Sequence, residues 1–164
     1  MDDQGEQSVG VNSYALVSYL SGPLAQFLED LRAQLSHGCT ARAHITVLPP
    51  RPITGSSADA WKMLSEQLQD FPPFIVELGD VEIFRQSQVI YVAVKTGHAA
   101  LEKMHRTLNA GPVAFEEPFP YHPHVTLAQG SAQVVPPWQT RPGPHGVVGQ
   151  LTAVQVPPTG LEQV

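Results

Sequence analysis

Two short stretches carry the same chemical pattern. "ARAHITVLPP" (41–50) contains His44 and Thr46, and "PYHPHVTLAQG" (120–130) contains His124 and Thr126, 80 residues further on. Residues two apart in a strand face the same side. Each stretch therefore presents an imidazole and a hydroxyl on one face. The apolar pairs Ile45/Val47 and Val125/Leu127 lie on the other. Imidazole titrates near pH 6.5, about where a general acid or base works best at neutrality. A threonine hydroxyl can donate to a non-bridging phosphate oxygen, where negative charge sits. In-line displacement at phosphorus needs a base on the attacking side and an acid on the leaving side. Two histidines from facing strands supply both, and no metal is then required.

One His-x-Thr is a weak signal, because a strand histidine is commonly a satisfied structural group and threonine is a good strand former. Two copies with apolar flanks, in matching places along the chain, favour catalysis.

The elements that must hold these strands read as follows. "SYALVSYL" (13–20) is a strand. Pro23 suits a first helical turn, and Leu24, Phe27, Leu28, Leu31 and Leu35 then recur at helical spacing over 22–35. "HITVL" (44–48) is a strand expected to stop at Pro49-Pro50. A helix follows over about 57–70, with Trp61, Leu64 and Leu68 inward. "FIVELGDVEIF" (74–84) and "QVIYVAVKT" (88–96) are strands. A third helix covers about 98–109, with Leu101, Met104, His105 and Leu108 on one face. A Pro/Gly-rich loop leads to the strand 124–129. Residues 136–146 read as loop with one short helical turn, and 147–156 as a closing strand.

The order strand–helix–strand occurs twice, and His44 and His124 each open the second strand of such a unit. The expected fold is α+β: two pseudo-symmetric lobes around a central cleft, each a mainly antiparallel sheet with helices on its outer face. Residues 1–12 read as a disordered leader, 13–157 as a single bilobal domain and 158–164 as a tail.

The chain's 164 residues suffice for one domain with a real core, at 42% hydrophobic and 15% charged residues. No apolar run approaches the length of a membrane helix, and the acidic start "MDDQGEQSVG" is unlike a secretory signal. A cytoplasmic monomer is expected. The net charge of −6 argues against an extended nucleic-acid surface, though a small phosphate ligand or an RNA end needs only one or two well-placed arginines. The single cysteine, Cys39, allows neither an internal disulfide nor a cysteine zinc cluster, and reads as incidental.

"HITVLPP" and "PHVTLAQ" resemble the paired motifs of the 2H phosphoesterase superfamily, the 2′-5′ RNA ligase-like proteins, and the likeness runs from "SYALVSYL" to "LTAVQV". It implies metal-independent work, without cofactor, on a small nucleotide or RNA end bearing a 2′,3′-cyclic phosphate. His44 and His124 would be the catalytic pair, with His124 as base and His44 as acid, and Thr46 and Thr126 would bind phosphate. The alternatives are 2′-5′ RNA ligation, or a nucleotide-binding protein without physiological turnover. Two features depart from the family pattern. Gln129 stands where many members have a basic residue, and the first motif runs into "PPRP".

Arg42 and Arg51 are candidates for the missing positive charge. Tyr121 and Phe119 are candidates to stack a base, as is Phe84, though packing is the plainer role for each. His122 is a neighbour of His124 and a candidate substrate contact. With His124 it would make half a metal site, but no carboxylate or cysteine nearby completes one. His105 reads as a core or lobe-contact histidine, and His37, His98 and His145 as solvated.

Overall fold

A computed structural model of the chain describes residues 13–36 and 39–129, together with the backbone of 162–163. The expected leader, His37, the 136–146 loop with His145 and the expected strand 147–156 lie outside the described residues.

The described chain is α+β. The elements are β1 (Ser13–Tyr19), α1 (Gly22–Leu35), β2 (His44–Pro52), α2 (Ser57–Leu68), β3 (Glu77–Phe84), β4 (Val89–Thr96), α3 (His98–Leu108), a 3₁₀ turn at Gly111–Val113, β5 (His124–Gln129) and β6 (Glu162–Gln163). They form two antiparallel sheets, ordered β2-β1-β6 and β3-β4-β5. The short β6, from the expected tail, pairs with Tyr14 and Ala15.

One boundary differs instructively from the sequence expectation. β2 does not stop at Pro49-Pro50 but continues to Pro52. Proline lacks the N–H that a central strand must donate, so it is confined to edges. Among the described residues β2 pairs only with β1, at the edge of its sheet, and its prolines are therefore tolerated.

The helices do not each keep to the sheet that precedes them. Ala25 and Leu28 of α1 pack with Val92, Val94, Val125 and Leu127 of the second sheet, and Ala43 and Ile45 join the same cluster. Ala60 and Leu64 of α2 pack with Leu16, Val47 and Leu48 of the first sheet. α3 divides its apolar face between the two, with Leu101 in one cluster and Met104 and Leu108 in the other. Burying such side chains is worth about 1.5–3 kcal/mol each, so helix packing fixes the sheets relative to one another.

The turn into α3 depends on Gly97. Its φ is +88°, and a Cβ there would lie 2.6 Å from the Ile75 carbonyl oxygen. Only glycine fits that approach.

Candidate active site

The pleat places both motifs as the pattern requires. Ile45, Val47, Val125 and Leu127 are completely buried, while His44, Thr46, His124 and Thr126 are half-buried on the opposite faces. In the first sheet His44 lies beside Tyr19 and Thr46 beside Val17. In the second, His124 lies beside Ala93 and Thr126 beside Tyr91.

The two imidazoles are anchored identically. His44 Nδ1 is 2.8 Å from the Arg42 carbonyl oxygen, and His124 Nδ1 is 2.7 Å from that of His122. A carbonyl can only accept, so each Nδ1 carries the proton and donates it. The neutral ring then has its lone pair on Nε2, and the protonated ring has a donor there. Each histidine thus presents one defined working nitrogen. Among the described residues no hydrogen bond engages the Thr46 or Thr126 hydroxyl.

His124 is held below the usual imidazole value. Burial is the largest cause. Its bond to the His122 carbonyl opposes the shift, and the charges of His122 and then His44 add to it. His44 is therefore close enough to His124 for its charge to be felt. Aromatic rings brace His124: Phe84 and Tyr91 meet it edge-on, with centroids at 5.1 and 5.2 Å, and stack on each other at 4.0 Å. The Tyr91 hydroxyl donates to Glu82 at 2.8 Å. Its pKa is pushed up to about 12 by burial first, then by that bond and the Glu82 charge, so it stays a neutral phenol.

The remaining sequence candidates divide. Arg42 is exposed beside the first motif, its guanidinium carbon 4.0 Å from the centre of the Tyr19 ring. His122 is exposed, with its ring edge-on to Phe84 and Tyr91 and 5.8 Å from His98. Phe119 is 69% exposed, and among the described residues no ring contact engages it.

Arg51 and Tyr121 are committed elsewhere. Arg51 is 2% exposed. It donates to the Pro49 carbonyl at 2.9 Å, to Asn109 Oδ1 at 2.7 Å and to the Val113 carbonyl at 3.2 Å, and pairs with Glu117. Burial lowers its pKa, while the hydrogen bond and charge of Glu117 pull it back up. Such a guanidinium has no free edge for a ligand. The Tyr121 ring is stacked on His105, with centroids 4.0 Å apart and planes 1° apart. One face of the Tyr121 ring is therefore closed to a base.

These two rings grip the first motif from behind. The Tyr121 hydroxyl donates to the Thr46 carbonyl at 2.9 Å, and His105 Nδ1 donates to the Val47 carbonyl at 2.8 Å. His105 Nε2 faces Glu117 at 3.5 Å, which closes the ring of contacts back to Arg51. The loop that delivers His124 is thus fastened to the strand that carries Thr46. Sequence reasoning places His105 at such a contact but misses Asn109, the residue that caps the end of α3, and Glu117, which sits in a loop with no periodicity to mark it. Tyr19 and Tyr91 are also missed as ring neighbours, since their positions depend on strand register.

Among the described residues no group of three or more His, Cys, Asp or Glu side chains is placed to hold a metal ion, and no helix is long and apolar enough to cross a membrane.

A family model described as the 2′-5′ RNA ligase superfamily matches residues 20–139, a span that includes both His-x-Thr pairs. The chain belongs to this superfamily. Comparison with curated proteins finds no significant match. Membership in the 2′-5′ RNA ligase superfamily implies an enzyme of the phosphoesterase and ligase type. It agrees with the resemblance carried by "HITVLPP" and "PHVTLAQ".

Proposed function

We propose that this protein is a metal-independent phosphodiesterase that opens 2′,3′-cyclic phosphates of RNA ends or small nucleotides, and that His44 and His124 line a cleft between two related lobes. The observation that carries the reading is the matched anchoring of the two imidazoles. Both Nδ1 atoms are spent on a carbonyl two residues upstream, and both Nε2 atoms are left for substrate.

The lowered pKa of His124 supports its role as base, because the ring keeps its lone pair at neutral pH. Its Nε2 takes a proton from water as the water oxygen bonds to phosphorus. The P–O3′ bond breaks, and protonated His44 delivers its Nε2 proton to the departing O3′. The product is a 2′-phosphate with a free 3′-hydroxyl. The Thr46 and Thr126 hydroxyls donate to the non-bridging oxygens, where hydrogen bonds to charge are worth about 1.5–3 kcal/mol each. Arg51 and Tyr121 have no part in this site beyond holding its frame.

The superfamily match also favours 2′-5′ ligation. With the same roles, the two histidines would let a 5′-hydroxyl attack in place of water, its proton passing to His124 as His44 protonates the departing O3′; with the roles exchanged, the 3′-hydroxyl attacks the 2′-5′ linkage and the 5′-hydroxyl is released. The test is turnover of 2′,3′-cyclic nucleotides in the presence of EDTA, with the regiochemistry of the product read by chromatography. Turnover is expected to persist with EDTA and to fall by about 10²-fold or more in H44A and in H124A. Loss of turnover on chelation, or full activity in either variant, defeats the mechanism.

A further inference from the structure

Beyond the carbonyl that anchors His44 Nδ1 at 2.8 Å, Arg42 has a side chain that the proposed chemistry does not use. Its guanidinium carbon lies 4.0 Å from the centre of the Tyr19 ring. The Tyr19 ring is in turn edge-on to His44, with centroids 6.0 Å apart and planes 79° apart. The Arg42 cation thus stands one aromatic ring away from a reacting imidazole.

Stacking is what makes this cation useful. A guanidinium resting on a ring uses one face and keeps its in-plane N–H donors directed outward. Those donors match two oxygens of a phosphate. Among the described residues no carboxylate is paired with Arg42. Glu29 Oε1 accepts from the N–H of the next residue, Ala43, at 2.9 Å. Arg32 adds a second guanidinium nearby, reaching the Arg42 carbonyl at 3.5 Å. β5 (HVTLAQ), which carries the opposite motif, has neither lysine nor arginine. In a chain of net charge −6, the guanidiniums of Arg42 and Arg32 stand beside the first motif.

With Thr46 and Thr126 donating to the oxygens of the phosphate between the histidines, the phosphate left for Arg42, whose guanidinium meets the Tyr19 ring, is a second one, a nucleotide step away. Resting on the function proposed above, we infer that Arg42 is a specificity-determining residue that reads the internucleotide phosphate next to the cyclic one. The preferred substrate class is then an oligonucleotide end and not a nucleoside cyclic monophosphate.

The experiment compares two dinucleotides, one with an ordinary phosphodiester linkage and one with an uncharged methylphosphonate linkage. Each is prepared with a 2′,3′-cyclic phosphate for turnover and with a 2′-phosphate for calorimetric binding. The wild type is expected to favour the charged linkage by about tenfold or more in kcat/KM and in affinity. R42Q is expected to lose most of that preference, and R42K to recover part of it as a point charge without the planar fork. The preference should also weaken with salt.

If the charged linkage is not favoured, or is favoured equally by R42Q, the inference is overturned. If the 2′-phosphates bind with an Arg42-dependent preference while no cyclic phosphate is turned over, the inference stands and the hydrolytic reading falls.

Discussion

Arg51 permits a test that separates a pillar of the fold from a ligand contact. The sequence allows either role, for it lies only seven positions after His44. Arg51→Met removes an ion pair with Glu117 and donors to three further acceptors, the Pro49 and Val113 carbonyls and Asn109 Oδ1. Glu117, whose side chain is 11% exposed, is left without its main partner. Breaking one member of a buried pair costs about 3–5 kcal/mol, most of it from the charge left behind. Replacing both members by apolar groups costs much less, so R51M/E117L should recover part of the loss. The coupling in that double-mutant cycle is expected at about 1–3 kcal/mol.

The assay is urea unfolding followed by far-UV circular dichroism, with E117Q as the milder variant should R51M not fold. At a slope of about 1–3 kcal/mol per molar urea, the R51M midpoint falls by at least about 1 M. A midpoint within a few tenths molar of wild type, together with a raised KM, would refute the structural assignment and return Arg51 to the substrate.

Four further outcomes are expected. The acid limb of kcat/KM should fall below pH 6.5, about the value of a free imidazole, because the pKa of His124 is lowered in the folded chain; a limb at or above 6.5 contradicts the assignment of His124 as base. By linkage, the unfolded chain binds a proton at this histidine more readily than the folded one. Stability should therefore rise with pH from the folded pKa up to about 6.5, and be lost as pH falls through that window; pH-dependent unfolding of H124Q should lack this component. Thr46→Val and Thr126→Val should each lower kcat/KM by about tenfold or more without changing the unfolding midpoint, since valine suits a strand. Tyr121→Phe keeps the stack on His105 but leaves the Thr46 carbonyl without its donor. It should cost about 1–2 kcal/mol in thermal or urea unfolding and lower kcat more than it changes KM.

The sequence by itself determined the parts of this protein that depend on periodicity. Apolar residues at helical spacing mark α1, α2 and α3, and the two-residue alternation around His44 and His124 marks β2, β5 and the face each side chain takes. Both histidines and both threonines were legible for that reason, because strand pleating is local. The run of β2 through Pro49 and Pro50 was not, since only pairing on one side makes those prolines harmless. Arg51 shows the same limit. A basic residue near a motif looks like a phosphate contact until Glu117, 66 positions away, is found against it. Register placed Tyr19 and Tyr91 beside the histidines, and packing of α3 brought His105 onto the Val47 carbonyl. Tertiary structure decided these points because each depends on a partner distant in the chain, whereas the direction of a strand side chain depends only on its neighbours.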